Sequence, residues 1–253
     1  MLDSADAATW RGLGAPGTML GDFRYWEKDG LHHVVFSSDA STNMEVVRKS
    51  GAKHKTFKEA VEDYDRSKGG RKLIINGSFG NNPYATTDPW YAQEVMGDVI
   101  EHKVRTSMYT PTPDRAFLSF QDSSTTLDVY NVDLGAPPMS ADAAISGLCP
   151  LIVKGKKFDD KNGFYQTLLN RSKSTGKVVF GQTSDRIQYV GVQPDGVGRL
   201  TVNDVRDRMA AAGMADAILL DGSDSAMLYL DGMWRVRQST SKNVYTKIGL
   251  AFF

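Results

Sequence analysis

An apolar run that stops abruptly in acidic and hydroxylated residues constrains this chain more than any other stretch. Ala217-Ile218-Leu219-Leu220 leads straight into Asp221-Gly222-Ser223-Asp224-Ser225. A run this short and apolar reads as a buried strand, so two carboxylates and two hydroxyls surface where it leaves the core. Such strand ends commonly carry the chemistry in sheet proteins with helices packed on them. The layout recurs earlier, where Leu73-Ile74-Ile75 runs into Asn76-Gly77-Ser78-Phe79. Two ends of this kind predict one site assembled from distant parts of the chain.

Strand and helix patterns alternate around these two points. Residues 33–36, 72–75 and 247–253 read as strands. Thr56 and Glu59 have capping-box spacing, and Phe57, Ala60, Val61 and Tyr64 fall on one helical face that should end near Gly69-Gly70. Thr201 caps a second helix whose Val202, Val205, Met209 and Ala212 share a face, with Gly213 as its stop. The Asp231-Gly232 pair between residues 227–230 and 233–237 predicts a two-residue hairpin. Several further strands are expected between residues 99 and 155. The expected class is α/β in the mixed, α+β sense: a central mixed sheet with packed helices. One globular domain is expected over residues 21–253, after a linker over residues 1–20.

Composition removes several classes of function. With 253 residues there is ample material for one large core. Lysine plus arginine balance aspartate plus glutamate at 30 each, so no net field draws nucleic acid or an anionic membrane to the chain. No apolar run approaches the roughly 20 residues of a membrane span, and the start lacks the basic-then-apolar layout of a signal peptide. Cys149 is alone, which excludes an internal disulfide or a cysteine metal cluster. None of the four histidines has metal-ligand spacing, and His32 and His33 point to opposite faces of a strand. The dinucleotide, Walker and GxSxG signatures are absent. Asp221 and Asp224 remain, three apart, where a turn can aim both into one cleft. The N–H groups of Gly222, Ser223 and Asp224 offer an anion-binding nest beside them. The plainer reading of Asp221 is a turn aspartate accepting its own loop's N–H groups.

Four segments in order resemble the phosphodiester glycosidase family, which includes a lysosomal enzyme that removes N-acetylglucosamine from a phosphodiester. The family's early Asn-Gly-Gly-Phe-Phe segment compares with Asn76, Gly77, Ser78, Phe79 and Gly80. Its Gly-x-Pro-x-Leu-Val segment compares with residues 147–156, and its Arg-Thr-x-Ile-Gly segment with Lys177-Val178-Val179-Phe180-Gly181. The late Leu-Asp-Gly-Gly-Gly-Ser-Ser segment compares with Leu220 to Ser225, Ser223 and Asp224 standing where the family has glycine. The resemblance implies cleavage of a sugar C1–O bond to phosphate, with oxocarbenium-like charge on the sugar and negative charge on the leaving phosphate. In that reading Asp221 is the carboxylate near C1, as nucleophile, base or sugar-hydroxyl acceptor, with Asp224 as second choice. Asn76 orients the sugar, and Lys177 and Arg186 serve the phosphate. Gly77, Ser78, Phe79, Gly222, Ser223 and Ser225 line the substrate. Lys177 keeps the charge of the family's arginine but not its planar fork.

Residues 4–15 (SADAATWRGLGA) resemble a junction found in bacteriophage tail fibres and tail spikes just before a C-terminal module. Together the two resemblances imply a tail module, on the virion and acting at the host surface. It would bind and hydrolyse a glycosyl phosphodiester in a bacterial surface glycan such as a teichoic acid, within a homotrimeric fibre. A non-catalytic, carbohydrate-binding receptor domain of a tail fibre is the alternative. No cofactor is expected. A divalent cation is compatible with Asp221 and Asp224 as hard oxygen ligands, though their spacing matches no known loop.

Overall fold

A computed structural model describes residues 12–13, 17–37, 43–50, 52–77, 80–81, 94–95, 99–101, 104–107, 116–121, 124–129, 141–159, 163–239, 246 and 248–253. Its largest sheet has eight strands. Their order is Thr18–Leu20, Phe23–Lys28, Leu31–Ser37, Ile187–Gln193, Lys177–Thr183, Met214–Leu219, Cys149–Val153 and Lys156–Lys157. A five-stranded sheet runs Met233–Val236, Leu228–Leu230, Leu73–Asn76, Ile248–Phe252 and Met44–Arg48. A second five-stranded sheet, from Ser124–Val129, Ala116–Gln121, Ala143–Ser146, Val99–Glu101 and Val104–Ser107, and a two-stranded ribbon complete the set. The mixed α+β class holds. Every described strand pair is antiparallel, however, so the expected central mixed sheet is a set of antiparallel sheets.

Alternation along the strands explains the layering. Val178, Phe180, Ile218, Leu73, Ile75 and Phe252 meet in the core between the sheets, where Leu118 and Ile145 of the third sheet join them. Val179, Ala217 and Leu219 point the other way, onto helix α2 (Gly163–Leu169) and helix α3 (Val202–Ala211). Ile74 and Ala251 turn out of the five-stranded sheet onto helix α1 (Phe57–Lys68). Strands buried on both faces read as continuous apolar runs, which is why residues 73–75 and 217–220 stand out in the sequence.

The local signals act as their chemistry requires. Thr56 Oγ1 accepts from Glu59 N at 3.2 Å, and Glu59 Oε2 accepts from Thr56 N at 3.4 Å, which closes the box on α1. Gly69 ends that helix at φ 60°. Thr201 and Asp204 cap α3 in the same way, and Val202, Val205, Met209 and Ala212 are all buried. Asp231 and Gly232 both take positive φ, 51° and 77°, as a primed hairpin turn demands. The linker expectation is corrected at its C-terminal end. Thr18–Leu20 pairs with the next strand, and Leu13 is buried with its carbonyl accepting from Trp26 Nε1. Residues 1–11 and 14–16 lie outside the described residues.

Candidate active site

The four motif segments converge at one end of the sheets. Strand Met214–Leu219 carries the late segment and is flanked by both middle ones: Leu219 pairs with Cys149 on one side and Val179 on the other. Leu220 N then donates to Val178 O at 2.8 Å, and the chain leaves the sheet at Asp221. The early segment arrives from the five-stranded sheet through Asn76, which is completely buried. Its Nδ2 donates to Asp221 O at 2.6 Å and its Oδ1 accepts from Met227 N at 3.1 Å. Gly77 O accepts from Asp221 N at 3.3 Å. One amide side chain thus clamps both ends of the loop from Asp221 to Met227. This changes the role expected for Asn76: the groups meant for a sugar are engaged by the protein's own backbone.

Close backbone packing shapes the rest of the loop. A side chain on Gly222 would put its Cβ 2.6 Å from Gly176 O, and one on Gly176 would meet Ser223 O at 2.1 Å, so two glycines lie back to back. Ser223 takes φ 58°, a left-handed conformation that suits glycine, which accounts for the residue the family favours here. Ser223 N donates to Gly176 O at 2.6 Å. The expected nest of three consecutive N–H groups is therefore corrected, because its central donor is already bonded. Residues 223–225 close a 3-10 turn, with Ser225 buried and Ser225 N donating to Gly222 O at 3.1 Å. Gln238 Nε2 donates to Ser225 O at 2.8 Å, and Ser239 N donates to Asp224 O at 3.0 Å. Asp221 is only 8 % exposed, whereas Asp224 is half-buried.

Neither expected phosphate cation faces this loop. Lys177 begins its strand beside Gly222, but its ammonium is buried and donates to the carbonyls of Ser172 and Thr175. Burial pushes it down to about 8. Arg186 sits at φ 63° in the exposed turn that joins Lys177–Thr183 to Ile187–Gln193. A seven-residue strand separates it from the Asp221 end, roughly 20 Å. Ser78 and Phe79 lie outside the described residues. No group of three or more metal-ligating side chains occurs among the described residues. Sequence reading missed Gly176, Gln238 and Ser239, which hold the loop but belong to no motif. Gly176 beside the fourth segment was the one available signal.

A sequence profile of phosphodiester glycosidases matches residues 69–252, well over half of the chain. The chain belongs to the phosphodiester glycosidase family. Its fold is similar to that of the zebrafish N-acetylglucosamine-1-phosphodiester alpha-N-acetylglucosaminidase catalytic domain, auto-inhibited by pro-peptide. That match has a TM-score of 0.62 and 14% identity over 90% of this chain and 80% of the other. A putative exported protein from Burkholderia pseudomallei K96243 matches with TM-score 0.56 and 10% identity, over 91% of this chain and 74% of that one. A hypothetical protein from Synechocystis gives 0.54 and 10% over 91% of this chain, which spans 60% of the Synechocystis protein. At these identities the three structures establish the fold alone. No curated protein matches the chain in sequence.

Proposed function

We propose that this chain hydrolyses the bond between a sugar C1 and a phosphodiester. The observation that carries the reading is the convergence of all four family segments on the loop from Asp221 to Met227, clamped by Asn76. Asp221 supplies the carboxylate at C1, in a strand-end position whose backbone is fixed on both sides. Phosphate is already a good leaving group, so the site needs a carboxylate against the oxocarbenium-like charge more than a strong general acid. We assign the substrate to the phosphate-containing glycans of bacterial surfaces and the setting to a homotrimeric phage tail fibre. Residues 4–15, with their tail-fibre-like junction, support that setting.

Incubation with a teichoic acid, followed by assay of phosphomonoester and reducing sugar, tests the activity. Release by the native chain, reduced at least about a hundredfold in Asp221→Asn, is the expected result. One feature favours the receptor-binding alternative: the lysine in the family's cationic position is turned into the protein. Tight glycan binding without turnover, indifferent to Asp221→Asn, would establish that alternative instead.

A further inference from the structure

Lys177 turns away from the Asp221 loop, and the turn it grips instead supports that loop from behind. Lys177 and Gln193 stand opposite each other in the ladder between Lys177–Thr183 and Ile187–Gln193, and both are buried. Both side chains bind the turn that precedes Lys177. The ammonium donates to Ser172 O and Thr175 O. Gln193 Nε2 donates to Lys173 O and Thr175 O, each at 2.8 Å, and its Oε1 accepts from Leu200 N at 3.1 Å. Gly196 N, in the turn after Gln193, donates to Ser174 O at 2.8 Å. Every carbonyl from Ser172 to Thr175 therefore has a donor, which makes this turn a fixed support.

Gly176 links the support to the site. Its carbonyl accepts from Ser223 N at 2.6 Å, and its own N–H donates to Asp195 Oδ1 at 2.7 Å. It has no room for a side chain, since a Cβ there would lie 2.1 Å from Ser223 O. Glycine holds its own backbone conformation less firmly than any other residue. The bond from Asp195 is charge-assisted, and so among the stronger hydrogen bonds. Asn76 and Gly77 fix the two peptide groups of Asp221 from the five-stranded sheet, while the residues after Asp221 rest on Gly176. The loop is thus held from two sides. Asp195 is exposed, belongs to none of the four motif segments, and lies one residue removed from the loop.

We propose that Asp195 is a positioning residue for the Asp221 loop, acting through Gly176 on a turn that Lys177 and Gln193 lock in place. Its catalytic consequence rests on the hydrolytic reading above, because a carboxylate displaced from C1 loses transition-state contact before it loses substrate. Two variants test it. Asp195→Ala removes the acceptor for Gly176 N, and Asp195→Asn keeps an acceptor oxygen without the charge. Steady-state kinetics on the teichoic acid should show kcat about three- to tenfold lower in Asp195→Ala, with KM within about twofold, and kcat restored to within about twofold in Asp195→Asn. Amide hydrogen exchange, read by mass spectrometry, follows the loop whether or not the chain cleaves anything. Exchange over residues 221–226 should quicken about three- to tenfold in Asp195→Ala and return to the native rate in Asp195→Asn, with residues 228–230 unmoved. Native exchange over residues 221–226 in Asp195→Ala overturns the proposal, as does an Asp195→Asn protein no better than Asp195→Ala. A raised KM at constant kcat makes Asp195 a substrate contact and overturns it equally. Cleavage with kcat unmoved by Asp195→Ala removes the positioning role and leaves hydrolysis standing. Faster exchange in Asp195→Ala, with no cleavage by the native chain, removes the hydrolytic reading and leaves Asp195 as the residue that positions the loop.

Discussion

Asn76→Asp exchanges one atom and separates the clamp from every other reading of Asn76. The native amide donates to Asp221 O at 2.6 Å and accepts from Met227 N at 3.1 Å, with no solvent exposure. A protonated aspartic acid can do both, its O–H donating and its carbonyl accepting. An ionised one keeps the bond from Met227 N, presses a charge against the Asp221 carbonyl, and sits without water. Removing a partner from a buried charge costs about 3–5 kcal/mol. The folded variant therefore holds its proton more tightly than the unfolded chain, which is the raised case. Its stability matches the native chain's below the ordinary aspartate range and is lost as pH rises, by about 1.4 kcal/mol per unit until the full cost is reached. Urea midpoints of both proteins between pH 4 and 7 measure the gap. Asn76→Ala, which orphans both backbone groups at every pH, should show a gap of similar size with no slope. A flat gap for Asn76→Asp would refute the bridging amide.

Other perturbations follow from the same loop. Ser223→Gly relieves about 1 kcal/mol of left-handed strain at φ 58°, less about 0.5 kcal/mol for a freer unfolded chain. Scanning calorimetry should then show a melting temperature about 1–2 °C higher. Gly222→Ala drives a methyl to 2.6 Å from Gly176 O and should cost at least about 2 kcal/mol in urea denaturation. Lys177, held down near 8 by burial, binds its proton less well folded than unfolded. Stability should thus rise from pH 8 to 9.5, and Lys177→Met should abolish that rise in urea midpoints. Arg186→Ala lies at the far end of its strand and should leave kcat/KM for a glycosyl phosphodiester within about twofold.

Legibility followed the range of the interactions involved. The caps at Thr56 and Thr201, the Asp231-Gly232 turn and the doubly buried runs at residues 73–75 and 217–220 depend on neighbours a few residues away, and each appeared where local chemistry put it. Where side chains point across the fold is set by partners far off in sequence. Lys177 could be read as a cation for phosphate because nothing local shows that the carbonyls of Ser172 and Thr175 capture it. Asn76 could be read as a sugar ligand because its partners are 145 and 151 residues away.

Much of the family signature in this chain is therefore architecture around a small chemical centre. Asn76 fixes where the loop begins and ends, and Gly222 lets it lie against Gly176. The Ser223 position demands the left-handed backbone that glycine adopts at least cost. Those constraints would hold whatever the substrate, which explains how Ser223 can replace a glycine without undoing the loop. The main-chain carbonyl of Asp224 receives Ser239 N, a bond that any residue at this position could accept, and it ties the loop to the segment that follows the strand Met233–Val236.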